Sequence, residues 1–185
     1  MSNQGNQRIR LTKQLLQTAL LKLLKQKPLH LISIRELCDE AGINRTTFYH
    51  HYGSQFDLLN EISTQFLDSI SERLALADPE NRESVSQKVT TVMEYFSEQK
   101  DLSRLLLNNT FDSSFGEKIF SLPKITDLFN AALSECEDET EKKARITFAI
   151  HGSFRLLQEW INDDLCASPA KISELILTLA RSVCQ

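Results

Sequence analysis

From Asn44 to His51 the chain places an asparagine, an arginine, two threonines, a tyrosine and two histidines around a single phenylalanine, Phe48. A guanidinium is a planar fork of donors that matches paired acceptors, and hydroxyls and imidazoles add single donors and acceptors beside it. On a short helix Phe48 turns inward while Arg45, Thr46, Thr47, Tyr49 and His50 stay outside, which makes a contact surface and not a catalytic centre. A metal reading of His50 and His51 fails on geometry: adjacent helical residues point about 100° apart, and the residue four beyond His51 is Gln55. No phosphate-binding glycine loop, G-x-S-x-G elbow or H-E-x-x-H pair occurs, and five glycines leave little room for one. The four cysteines, Cys38, Cys136, Cys166 and Cys184, are scattered without a C-x-x-C pair. They are expected to be reduced and mostly structural, with no metal and no cofactor.

Charge says what such a surface would meet. Residues 1–60 hold eight Lys or Arg (Arg8, Arg10, Lys13, Lys22, Lys25, Lys27, Arg35, Arg45) against four acids (Glu36, Asp39, Glu40, Asp57), a net +4. Residues 61–185 hold 13 against 21, a net −8. A basic head on an acidic body suits a polyanion-binding module attached to something else. No apolar run approaches the roughly 20 residues of a bilayer span, and MSNQGNQRIR lacks the apolar stretch of a signal peptide. A cytoplasmic protein with no membrane contact is the expectation.

The elements that must position this surface are helices, because breakers fall at Pro28, Gly42, Gly53, Pro79, Gly116, Pro123 and Pro169 and the segments between them keep a helical apolar rhythm. A first helix over about 8–25 buries Leu16, Leu20, Leu23 and Leu24, and a short extended connector follows at His30 to Ile32. Ser33-Ile-Arg-Glu36 is a capping box that starts a second helix, with Ile34, Leu37 and Cys38 on one face and Gly42 as its stop. Asn44 then caps a third helix from Arg45 to about His51. Two short helices joined by a tight glycine turn form a helix-turn-helix. Ser54-Gln-Phe-Asp57 caps a long fourth helix that buries Leu58, Leu59, Ile62, Phe66 and Ile70.

The body reads as helices over about 82–100, 102–108, 117–136 with a bend or restart at Pro123, 139–164, and onward from a cap at Ser168-Pro169. The acidic run Glu135 to Glu141 lacks the alternating pattern of a calcium loop and reads as a solvated loop feeding a helix start. The helix over 139–164 carries two apolar stripes, one with Ile150, Phe154, Leu157 and Ile161, the other with Ala149, Gly152, Leu156 and Trp160, and so packs on two things. Together with Ile172, Ile176, Leu179 and Val183 of the last helix, Gly152, Leu156 and Trp160 are expected at an oligomer interface. Phe66, Met93, Phe96, Phe129, His151 and Phe154 are the candidates for lining an effector cavity, although apolar residues at helical spacing fill a solid core just as well.

The run Ser33 to Tyr52, SIRELCDEAGINRTTFYHHY, followed by Phe56-Asp-Leu-Leu59, resembles the signature of the TetR family of bacterial regulators, and within it the DhaS-like subset with an Ile-Asn-Arg-[Ser/Thr]-Thr-Phe-Tyr recognition helix. The resemblance implies an all-α fold: a disordered tail over 1–7, a helix-turn-helix domain over 8–55, and a helical effector-binding and dimerisation domain over 56–185. It implies a homodimer formed by the last two long helices, acting on double-stranded operator DNA, with an effector cavity among the middle helices. Two departures stand out: Lys27-Pro28-Leu29 replaces a common Gly-aromatic pair, and Gln55 replaces a common lysine near the DNA backbone. Docking geometry then sorts the residues. Arg45 reaches guanine O6 and N7, and Thr46 or Thr47 meets base edges. Ser33 and Arg35 sit near one phosphate strand and Tyr49, His50 and His51 near the other, with Asn44 and Gln55 alongside. The expected function is a repressor released from a palindromic operator by a small-molecule effector. The alternative keeps the fold but makes the body a docking platform for a protein partner, with activation as an outcome.

Overall fold

The computed structural model describes residues 2–75, 81–108, 115–132 and 138–184, and the described residues are helical with no strand among them. They form two compact units, Met1–Phe66 and Leu67–Gln185. The boundary falls inside the fourth helix, where a break at residue 55 was expected. Phe111, Cys136, Asp78-Pro79 and the first part of the acidic run lie outside the described residues, as do the side chains of Phe129 and Cys184.

In the first unit, α1 (Ser2–Leu24), α2 (Ile34–Ala41), α3 (Arg45–Tyr49) and the start of α4 (Gln55–Leu74) enclose one small core. Because α1 begins at Ser2, most of the stretch expected as a disordered tail is helical. Leu16, Ala19, Leu20 and Leu23 of α1 are buried with Leu37, Cys38 and Ala41 of α2, Phe48 and Tyr52 of the α3 region, and Leu58, Leu59, Ile62 and Phe66 of α4. Each large side chain so buried contributes on the order of 1.5–3 kcal/mol of transfer free energy. The connector after Pro28 is a single 3₁₀ turn, Leu29–Leu31, and not an extended stretch: Leu31 N–H donates to Pro28 O (3.0 Å) and Ile32 N–H to Leu29 O (3.0 Å). That turn sinks Leu29 and Ile32 into the core, which an extended strand of this length would not do for both.

In the second unit α5 (Arg82–Glu98), α6 (Lys100–Leu107), α7 (Phe115–Phe120), α8 (Pro123–Ala132), α9 (Glu139–Ile161) and α10 (Pro169–Cys184) pack around α9 and α10. Pro123 and Pro169 each take the first helical position, where a missing N–H is harmless. Asp138 caps α9 by accepting from Thr140 N–H (2.8 Å) and Glu141 N–H (3.2 Å), and Ser168 caps α10 through Lys171 N–H (3.2 Å). The other end of α9 is fixed by α6. Arg104 donates to Ile161 O (2.9 Å) and to Asp163 (2.9 Å), Gln158 donates to Leu107 O (2.7 Å), Asn108 and Asn162 exchange amide bonds, and Lys100 pairs with Asp163. A guanidinium at the last carbonyls of a helix satisfies acceptors that have no partner in the helix and meets the negative end of its dipole. Asp163 itself holds a left-handed conformation (φ 70°).

Candidate nucleic-acid interface

The backbone of the α2–α3 unit is set by short-range hydrogen bonds, each with a sequence cause. Ser33 Oγ accepts from Glu36 N–H (3.2 Å) and opens α2. The Glu36 carboxylate does not complete the reciprocal half of the box; it takes Lys27 Nζ instead (2.6 Å). Gly42, at φ 66°, lets its own N–H reach Asp39 O (3.3 Å) and lets Ile43 N–H reach Cys38 O (2.9 Å), the two bonds of a Schellman stop. Two residues later Asn44 Oδ1 accepts from Thr46 N–H (2.9 Å) and starts α3 in a new direction. Beyond α3, Ser54 Oγ accepts from Asp57 N–H (3.3 Å) while Asp57 returns a carboxylate oxygen to Gly53 N–H (3.0 Å), so the next cap is complete.

On this frame Phe48 is fully buried, edge-on to Tyr49 (centroids 5.5 Å) and tilted against Tyr52 (5.7 Å). Its anchoring leaves Arg45, Thr46, Tyr49 and His50 exposed on one surface, Tyr49 by 58%. Thr47 and His51 are half-buried, Ser33 and Arg35 are exposed at the start of α2, and Gln55 is half-buried at the start of α4. Asn44 is exposed, but its side-chain oxygen is committed to the cap. Arg45 makes no ion pair among the described residues. Burial pushes the Cys38 thiol beneath it above its ordinary value, with Arg45 pulling the other way, so the cysteine is a neutral core group.

Three residues that the sequence does not mark as part of the site hold the far end of α3. Lys13 of α1 bonds both oxygens of Glu61 on α4 (2.9 and 3.0 Å) and lies over the Tyr52 ring at 5.6 Å. Burial first, and then the Glu61 carboxylate, push the Tyr52 phenol well above its ordinary value, so the ring is a neutral wedge. Its hydroxyl lies beside the Glu61 carboxylate without a hydrogen bond of ordinary geometry, since Glu61 is already held by Lys13 and by Gln65 (3.1 Å). A lysine and a glutamate 48 residues apart give no local signal of pairing.

In the second unit the expected cavity residues lie on three helices, α5, α8 and α9. Met93 and Phe96 are buried in α5, and Phe154 stands against α7, where a Cβ on Gly116 would meet its ring at 2.8 Å and Phe120 lies edge-on at 6.3 Å. His151 is exposed and lines an open depression of about 630 Å³ with Thr140, Lys143, Ala144, Thr147, Phe148 and Gly152, all on α9. Phe66 belongs to the first unit. Of the residues expected at an oligomer interface, Trp160 and Ile172 are buried inside the chain, Trp160 donating to Ala167 O (2.8 Å). Leu156, Ile176 and Val183 are half-buried, and Gly152 and Leu179 are exposed. The exposed stripe of α9 therefore runs Ala144, Phe148, His151, Gly152, offset from the stripe through Ala149, Leu156 and Trp160. Phe148 is 68% exposed, and on α10 Leu175 and Leu179 are exposed by 37% and 49%.

Among the described residues no group of three His, Cys, Asp or Glu could hold a metal ion, and no helix is long and apolar enough to cross a membrane. The model of bacterial regulatory proteins of the tetR family matches residues 16–62, and a transcriptional regulator C-terminal region matches residues 83–182. The chain belongs to the TetR family. The family's DNA-binding helix-turn-helix is thus α2 and α3, and the family's regulators are not enzymes. A TetR regulator from Streptococcus agalactiae has a similar fold (TM-score 0.72, 16% identity, covering 97% of this chain and 99% of that one). So do the dihydroxyacetone kinase operon activator DhaS (0.61, 18%, 92% and 94%) and Thermus thermophilus FadR, a TetR-family repressor solved with lauroyl-CoA (0.59, 16%, 91% and 92%). The HTH-type regulator YxbF of Bacillus subtilis is 21% identical over 165 residues, which is 87% of this chain; the chain spans 42% of that relative's length.

Proposed function

We propose that this TetR-family chain is a homodimeric repressor whose two heads bind a palindromic operator and which an effector releases. The observation that carries the reading is the exposed surface of α3: an unpaired arginine, a threonine, a tyrosine and a histidine held in fixed register by caps on both sides of the turn. Arg45 and Thr46 meet base edges in the major groove, Tyr49, His50 and His51 meet one phosphate strand, and Ser33 and Arg35 meet the other. The half-buried Thr47 serves the helix more than the DNA, and Asn44 acts by capping. Gln55, neutral where the family's lysine is common, contributes a weaker backbone contact.

A single head of this size reads only a few base pairs, and pairing two heads doubles the site. The exposed apolar face made by Ala144, Phe148 and Gly152 of α9 with Leu175 and Leu179 of α10 supports a second copy as the partner. Gly152 supports it independently: nothing lies within 4 Å of where its Cβ would be, so its own chain does not need a glycine there, whereas close approach of another helix does. Support for repression and for an effector comes from FadR, which shares the fold and is a repressor complexed with lauroyl-CoA. Selection of duplexes from a random pool, followed by light scattering of the complex, tests the reading. The expected result is a two-fold symmetric site with two chains bound; a full-affinity complex of one chain, or no enriched duplex, overturns it.

A further inference from the structure

We propose that Arg10 of α1 is a phosphate contact that carries the DNA footprint past the helix-turn-helix, an inference that rests on the DNA-binding reading of the first unit. The first argument is a charge ledger. The four acids of residues 1–60 are engaged within the unit: Glu36 with Lys27, Glu40 with Lys22 (2.5 Å), Asp39 with Arg35 (3.7 Å), and Asp57 with the Gly53 N–H. Glu61 takes Lys13. Arg10, like Arg45, is exposed and has no carboxylate partner among the described residues. A cation left without an internal partner beside a polyanion surface is the kind that releases counterions on binding.

The second argument is position. Lys13 meets Glu61 and Gln17 meets Gln65 (3.0 Å), both at a separation of 48 residues, so α1 and α4 run in the same direction along this seam. Arg10 precedes Lys13 and Gln17 by three and seven residues and so shares their face of α1. One turn back along the same register sets it level with Leu58, beside the Gly53–Gln55 turn that follows α3. Lys13 is already at the Tyr52 ring, so this is the side of the head where Tyr49, His50 and His51 end. Arg10 thus extends the row of groups assigned to one phosphate strand. Arg8, about 200° further round the helix, does not share that face.

The test is anisotropy titration of the full chain against one fixed duplex over a series of salt concentrations. Arg10→Ala should flatten the slope of log Kobs against log salt by about 0.9 and weaken binding to cognate and unrelated duplexes alike. Arg10→Lys should keep the slope, and Arg8→Ala should leave it unchanged. An unchanged slope in Arg10→Ala overturns the contact. Equal flattening by Arg8→Ala also overturns it, since the effect is then diffuse charge. If the wild type binds no duplex, it is the DNA-binding reading that has failed; circular dichroism of each variant separates either outcome from loss of fold.

Discussion

On α3 the uncovered side chains are polar, Arg45, Thr46, Tyr49 and His50, and the backbone beneath them is pinned by bonds spanning two to five residues, at Asn44, Gly42 and Ser33. On α9 an uncovered stripe runs through Ala144, Phe148, His151 and Gly152, flanked by the exposed Lys143 and Thr147, on a helix whose C-terminal end is fixed by partners 51 to 63 residues away, through Leu107, Asn108, Arg104 and Lys100. The two surfaces differ in what they tolerate while empty. Guanidinium, hydroxyl and imidazole groups are well solvated, so the α3 surface waits in water at little cost and needs only a rigid frame. An apolar stripe gains from being covered at all times, so α9 suits a permanent partner and α3 an intermittent one.

Four substitutions separate these regions. The largest effect is expected at the buried pivot of the head, where Phe48→Ala should remove about 3–5 kcal/mol, seen in urea unfolding. That is a large share of the stability of an ordinary domain, and duplex binding should go with it. A mild loss would show that α3 is held by its caps and not by its core anchor.

Next comes the face of α9. Phe148→Glu should weaken self-association by about 2 kcal/mol or more, roughly thirty-fold, in sedimentation equilibrium. Unfolding of the dilute chain should be nearly unaffected, because the ring is 68% exposed. An unaltered association constant would show that the second copy sits elsewhere.

Gly152→Ala should act in two directions. With open space around the new methyl, helix propensity should stabilise the dilute monomer by about 0.5–1 kcal/mol, while closer packing between copies is lost and the dimer weakens. Thermal melts at low and high protein concentration read the two signs, and stabilisation at both concentrations would break the contrast between α9 and α3.

The smallest effect is at the α6–α9 clamp. The Lys100 ammonium, and then Arg104, hold the Asp163 carboxyl below its ordinary value of 3.8. A lowered folded value means that the stabilisation is present above the unfolded value and is lost as pH falls through the folded one. The wild type should therefore exceed Asp163→Asn by a small, constant margin at neutral pH that closes below about pH 4, in urea unfolding against pH. Asparagine tolerates the left-handed backbone at this position, which keeps strain out of the comparison. A margin independent of pH would mean that the ion pairs contribute nothing.

The same contrast explains what could be read from sequence. The head was legible almost residue by residue because Ser33, Gly42, Asn44 and Ser54 each dictate a backbone bond to a neighbour, and Phe48 is the one large apolar residue among polar ones. What escaped there was long-range in the Lys13–Glu61 pair and the buried Tyr52 it covers, and local only in the 3₁₀ turn after Pro28. In the body, helix order and the restart at Pro123 follow from breakers, but facing does not. A helix apolar on two sides gives two stripes without saying which is spent inside the chain, so Trp160 and Ile172 looked available for a partner while Phe148 fell on neither stripe. Only packing against α5, α6 and α10 resolves that ambiguity.

The central claim is that Arg45 reads a base from a frame built by local caps. The direct measurement is a double-mutant cycle between Arg45→Ala and single base-pair changes in the selected operator, by gel-shift titration at one salt concentration. Arg45→Ala should cost about 1–3 kcal/mol on the operator and abolish discrimination at one base position per half-site, so that the protein and DNA changes are not additive there. Unchanged affinity, or losses that add at every position, would contradict the account.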